Sequence, residues 1–237
     1  MSHYFENEDL WKLPCYDEIN FSSLSEIKEL LQKDKNLSTE GLTMALAEAS
    51  GFYFENPDKG TAKEVMDILN LAVEHPHAGV AGGRNEDLDP YKYSQYYEVD
   101  SNTEARNLAT LVIQLHPDME KDVFDFYKKL STHLPVYHDL AEISKEHPKA
   151  MDLFEELYNR DLNLYNENYN HDNTTKAFCT DSLFRAEQAM ESFVSPENVD
   201  RIERMVNAYR AKENDRLDLI KGKIDAYHDK KLENSLS

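Results

Sequence analysis

Cysteine, glycine and tryptophan are scarce in this chain: 237 residues contain two cysteines, seven glycines and one tryptophan. Cys15 and Cys179 are too few and too far apart for a disulfide framework or a thiolate zinc site. Cys179 stands in Ala-Phe-Cys-Thr, an apolar setting that predicts a small hydrophobe, not a nucleophile. No run approaches the roughly eighteen apolar residues that cross a bilayer, so membrane insertion is not expected. Residues 1–9 are polar and acidic, unlike a secretory signal peptide, and the expected compartment is the reducing cytosol. Gly79, Gly82 and Gly83 are not followed by Lys-Ser/Thr, which excludes a phosphate-binding loop. The acids at 85–89 lack the alternating oxygens and closing Glu of a calcium loop. Nucleophile elbow, kinase and dinucleotide fingerprints are missing too, so no catalytic residue and no cofactor is assigned.

Positive charge is also short, with 26 basic against 46 acidic residues and a formal charge of -20. The imbalance is uneven: residues 1–180 hold 16 basic and 34 acidic groups, residues 181–237 hold 10 and 12. An acidic body lacks the clustered Lys and Arg that phosphate contacts need, which argues against nucleic acid and against anionic membranes. The basic residues of the tail, Arg201 to Lys223, are interleaved with acids and read as a solvated helix face.

What the sequence does have is helical periodicity. Leu24, Ile27, Leu30 and Leu31 mark a helix capped by Ser22 or Ser23 and reaching Lys33. A second helix is expected from Glu40 to Phe54, with Ala45, Ala47 and Ala49 allowing close approach. A third is expected from Thr61 to Glu74, with Val65, Ile68, Leu69 and Ala72 inward. Further helices are expected over 103–115, 118–132, 135–146, 148–168 and 175–194, with Thr103 and Asn173 to Thr175 as caps. Prolines 117, 135, 148 and 196 fall at helix starts, where a missing N–H is tolerated. No strand-like alternation persists. The expected fold is all-α, an irregular multi-helix bundle or short array of antiparallel hairpins with a long C-terminal helix. Its parts are an N-terminal arm (1–22), a helical part (23–75), a long Gly/acid/Tyr-rich loop (76–101), a bundle (102–195) and the C-terminal helix with a polar tail (196–237).

That last helix is expected from Pro196 to about Glu233. Val199, Ile202, Val206 and Tyr209 recur at steps of three and four, and Leu217, Ile220, Ile224 and Tyr227 resume the stripe. Ten turns would span roughly 55 Å, more than a small domain covers. Tyr209, Leu217, Ile220, Ile224 and Tyr227 are therefore expected to meet a partner, another protein or a second copy of this chain. The register break at Glu213 and Arg216 weakens a continuous coiled coil. Tyrosine supplies the other candidate surface: there are fourteen, and Tyr91, Tyr93, Tyr96 and Tyr97 crowd the long loop. Tyr158, Tyr165 and Tyr169 are expected to share one helix face. Tyrosine keeps a polar tip on an apolar body and is enriched at protein interfaces.

The segment Pro135-Val136-Tyr137-His138-Asp139-Leu140 resembles, over six residues, the helical HD phosphohydrolases. In that family a His-Asp doublet, an upstream His and a downstream Asp hold a catalytic metal inside a helical bundle. The resemblance implies a metal-dependent hydrolase using His138 and Asp139, as the alternative to a binding module. Here the upstream candidate His116 precedes Pro117, and no downstream Asp stands out. His75 and His77 have a spacing that can share a metal, although Pro76 between them favours a helix stop. The abundance of Asn, Lys, Glu and Tyr fits an AT-rich bacterium or its phage. The polar end, Lys230 to Ser237, resembles the C-terminal export signals of bacterial effectors delivered into host cells. The expectation is a non-enzymatic protein-interaction module, with export to a host cell as the alternative location.

Overall fold

The computed structural model describes residues 21–35, 37, 39–75, 101–170, 174–208, 221–226 and 228–229. It is all-α, with no strand among the described residues. No described helix is long and apolar enough to cross a membrane. The chain divides into two compact units, Met1–Ala105 and Arg106–Ser237.

In the first unit, α1 (Leu24–Lys33), α2 (Thr39–Glu55) and α3 (Lys59–Val73) pack pairwise on one another. Ser23 caps α1, its Oγ accepting from the Glu26 N–H at 3.3 Å, while Glu26 accepts from the Ser22 N–H at 2.7 Å. Leu24, Ile27 and Leu31 are buried as their spacing predicts. Ala45 and Ala49, four residues apart, are buried on α2, but Ala47 is exposed because it lies about 200° round the helix from Ala45. Asp58 starts α3 two residues earlier than expected, accepting from the Thr61 N–H at 2.8 Å. Val65, Ile68, Leu69 and Ala72 face inward. Buried His75 donates from Nε2 to the Asp34 carbonyl at 2.8 Å, joining the end of α3 to the end of α1.

The helix α4 (Ser101–Leu115) contains the division between the units, and it encloses Thr103, expected as its cap. A 3-10 turn, Pro117–Met119, leads into α5 (Glu120–Leu130), α6 (Tyr137–Ile143), α7 (Ala150–Glu167) and α8 (Thr174–Met190). A second 3-10 turn, Glu191–Phe193, precedes α9 (Val199–Ala208). Helix α8 lies against α7 and α6, and α7 also carries α5 and α9. The core is aromatic: the Phe154 ring stands 5.0 Å from Tyr137, edge-on, and 4.6 Å from Phe193. Helix α6 is shorter than expected because residues 144–146 turn back, the His147 N–H bonding the Ile143 carbonyl at 2.9 Å.

The C-terminal helix differs from expectation. Val199, Ile202, Met205 and Val206 of α9 are buried, and the Tyr158 hydroxyl donates to the Met205 carbonyl at 3.1 Å. Arg201 bridges α9 to α7, reaching Glu155 at 2.8 Å and Asp152 at 2.9 Å. Residues 221–226 are helical again, yet Lys223 pairs with Glu191 and His228 Nε2 lies 3.4 Å from Glu203 Oε2. One straight helix would hold residues 203 and 228 about 38 Å apart. The described pieces, Val199–Ala208 and residues 221–226, are therefore not turns of one straight helix. Of the apolar stripe, Val199, Ile202 and Val206 are buried in its first half and Ile224 in its second.

Candidate interaction surface

Most of the side chains expected to meet a partner, namely Tyr91, Tyr93, Tyr96, Tyr97, Tyr209, Leu217, Ile220 and Tyr227, lie outside the described residues. So do His77, Cys15 and the tail 230–237. Ile224 is described, and it is 2% exposed, covered by the chain's own atoms.

An aromatic surface stands elsewhere, where α7 ends and α8 begins. Tyr158, Tyr165 and Tyr169 do not share one fate: Tyr158 is fully buried, Tyr165 half-buried and Tyr169 44% exposed. The Tyr165 and Tyr169 rings meet edge to face, with centroids 5.7 Å apart and planes at 76°. Lys176 of α8 places Nζ 5.4 Å from the Tyr169 centroid, within cation–π range. Lys176, Thr180 and Phe184 follow at four-residue steps, so they form one stripe on α8. Phe184 is 47% exposed, while Cys179, Leu183, Ala186 and Met190 fill the opposite side. Tyr165 and Tyr169 were legible in the sequence; Phe184 was not singled out, because a lone Phe among buried neighbours carries no sign of facing water.

One group of polar side chains inside the second unit forms a hydrogen-bonded network around Asp161. Asp161, with no exposure, accepts from the Tyr137 hydroxyl at 2.7 Å, from Ser182 Oγ and from Arg160 Nε at 2.7 Å. Arg160 in turn donates to Ser131 Oγ at 2.7 Å and to the Ser131 carbonyl at 3.1 Å. Burial, then the Asp161 charge, pushes the Tyr137 hydroxyl well above its ordinary range. Burial likewise raises the Cys179 thiol to about 11, so it stays protonated and inert.

The residues implied by the HD resemblance do not fit a shared metal. Asp139 is buried and faces Arg106 of α4 at 3.2 Å, its carboxyl raised to about 6 by burial against the pull of that guanidinium. His138 is exposed and turns toward Gln188 of α8, Nε2 to Oε1 at 3.3 Å. Here each of the two has its own neighbour. His75 is engaged with the Asp34 carbonyl. An open depression of about 300 Å³ between α5 and α7 has Phe124 and Leu153 in its floor. Its rim charges are already paired, Lys128 with Glu156 and Lys149 with Glu120, both at 2.8 Å.

No family model, no curated protein and no solved structure matches this chain.

Proposed function

We propose that the chain acts by binding another protein, through the aromatic corner formed by Tyr165, Tyr169, Lys176 and Phe184. The observation that carries this reading is the pair of partly exposed tyrosine rings, fixed edge to face at 5.7 Å beside a lysine. Rings held by one another lose little freedom when a partner covers them, which is what an interface anchor requires. The chain's net charge of -20 favours a partner with an apolar contact centre and a basic rim. The expected tyrosines of the 91–97 segment remain a second arm of the same surface hypothesis.

The test is affinity capture with the full chain, compared with Tyr169→Ala/Phe184→Ala and with Tyr93→Ala/Tyr96→Ala/Tyr97→Ala, each checked for folding by circular dichroism. A partner kept by the wild type and lost by the first variant supports the corner. Its loss by the second variant alone moves the surface to the 91–97 segment. Equal retention by all three removes both surfaces from consideration.

A further inference from the structure

We propose that Asp200, Glu203 and His228 form a binding site for a divalent transition-metal cation, with Zn²⁺ as the ion its donors suit. One ligand atom from each of the three side chains lies within 4.8 Å of the other two. Asp200 and Glu203 stand three residues apart on α9, so both carboxylates leave the same side of that helix. His228 arrives from a separate segment, 25 residues further along the chain, and completes the set.

Two observations distinguish this cluster from an ordinary group of surface acids. The first is the spacing between His228 Nε2 and Glu203 Oε2, 3.4 Å. It matches the separation of two ligands on one tetrahedral zinc, about 3.4 Å for bonds near 2.05 Å. The second is charge. Asp200 has no cationic partner among the described residues, and like charges three residues apart repel. The α9 N-terminus eases Asp200 alone; a divalent cation would relieve both carboxylates at once.

The donor chemistry selects the ion. One imidazole nitrogen and two carboxylate oxygens suit zinc and its first-row neighbours, whereas calcium and magnesium prefer oxygen throughout. His228 and Glu203 are 38% and 48% exposed, so a hydrated ion can enter and the fourth position stays open to water. Small rotations of exposed side chains close the remaining distance to Asp200. Bound metal would fasten the segment around His228 to α9, a tie independent of the aromatic corner.

The experiment titrates the chelator-stripped full chain with Co²⁺, followed by visible absorption, and then displaces it with Zn²⁺. The expected result is one saturable equivalent with the absorption of a four-coordinate site, displaced by Zn²⁺ and not by Mg²⁺ or Ca²⁺. His228→Ala and Asp200→Asn/Glu203→Gln should each weaken it at least about tenfold, while His138→Ala leaves it unchanged. All of these side chains are exposed or half-exposed, and melting curves in chelator confirm that the variants fold. Absence of saturable binding overturns the proposal, as does a titration that neither variant alters.

Discussion

The Tyr137 hydroxyl donates a 2.7 Å hydrogen bond to Oδ2 of Asp161, a carboxylate with no solvent exposure, and so joins α6 to α7. Tyr137→Phe keeps the ring against Phe154 but leaves that oxygen with the Ser182 hydroxyl as its other donor. A hydrogen bond to a charged group contributes about 1.5–3 kcal/mol. The unfolding free energy should fall by that amount, as a lower denaturation midpoint with the m-value unchanged. A shift below about 0.5 kcal/mol would mean that water or a rearranged Ser182 replaces the bond.

Asp139 gives a pH signature of opposite sign to most carboxylates. Its folded value, about 6, exceeds the ordinary 3.8, so the native state holds the proton more tightly than the unfolded chain. The associated stability is full below pH 3.8 and is lost as pH rises through 6. The difference between wild type and Asp139→Asn should therefore move against the wild type by up to about 3 kcal/mol between pH 4 and pH 7. Parallel stability curves for the two proteins would refute the raised value.

Glu120 behaves in the other direction. Lys149 donates to it at 2.8 Å, and the buried His147 ring nitrogen lies 3.0 Å away, so its carboxyl is held below 4.5 with the Lys149 bond as the largest cause. Stability from this contact is present above pH 4.5 and is lost as pH falls through the lowered folded value. Because Lys149 is well exposed, Glu120→Gln should cost only about 1 kcal/mol at pH 7. Near pH 3 thermal scans of the two proteins should converge.

Truncation separates a packed α9 from a projecting one. A chain ending at Ser195 loses Val199, Ile202, Met205 and Val206, all buried, each contributing roughly 1.5–3 kcal/mol. The second unit should then melt well below the full chain, with reduced near-UV signal, while a chain ending at Ala208 melts higher than the Ser195 form. Identical melting of all three would mean that α9 contributes nothing to that core.

Local helices were largely readable from the sequence because each has an apolar stripe at steps of three and four and a polar start. Ser23 and the inward set of α3 are examples. Tertiary cover was not readable. The pattern from Val199 to Tyr227 shows which side of the chain is apolar, but the same stripe serves a second copy, a partner or the protein's own α7. The buried network left a sign. Phe154, Leu157, Tyr158, Asp161 and Leu162 fall on one stripe of α7, so an acid stands where only apolar groups are expected. Its partners Tyr137 and Ser182, and the Ser131 that braces Arg160, could not be named from spacing, since they come from three other places in the chain.

Asp161 also bears on how the second unit comes apart. Its oxygens are satisfied only when the Arg160 guanidinium braced on Ser131, the hydroxyl from α6 and the hydroxyl from α8 are all in place. Any partly opened form that releases α6 or α8 alone takes a hydroxyl donor away from a buried carboxyl group. Intermediates of that kind are raised in energy, and loss of these helices becomes a concerted event. Amide protons of α6, α7 and α8 would then exchange with solvent through one shared opening rather than helix by helix.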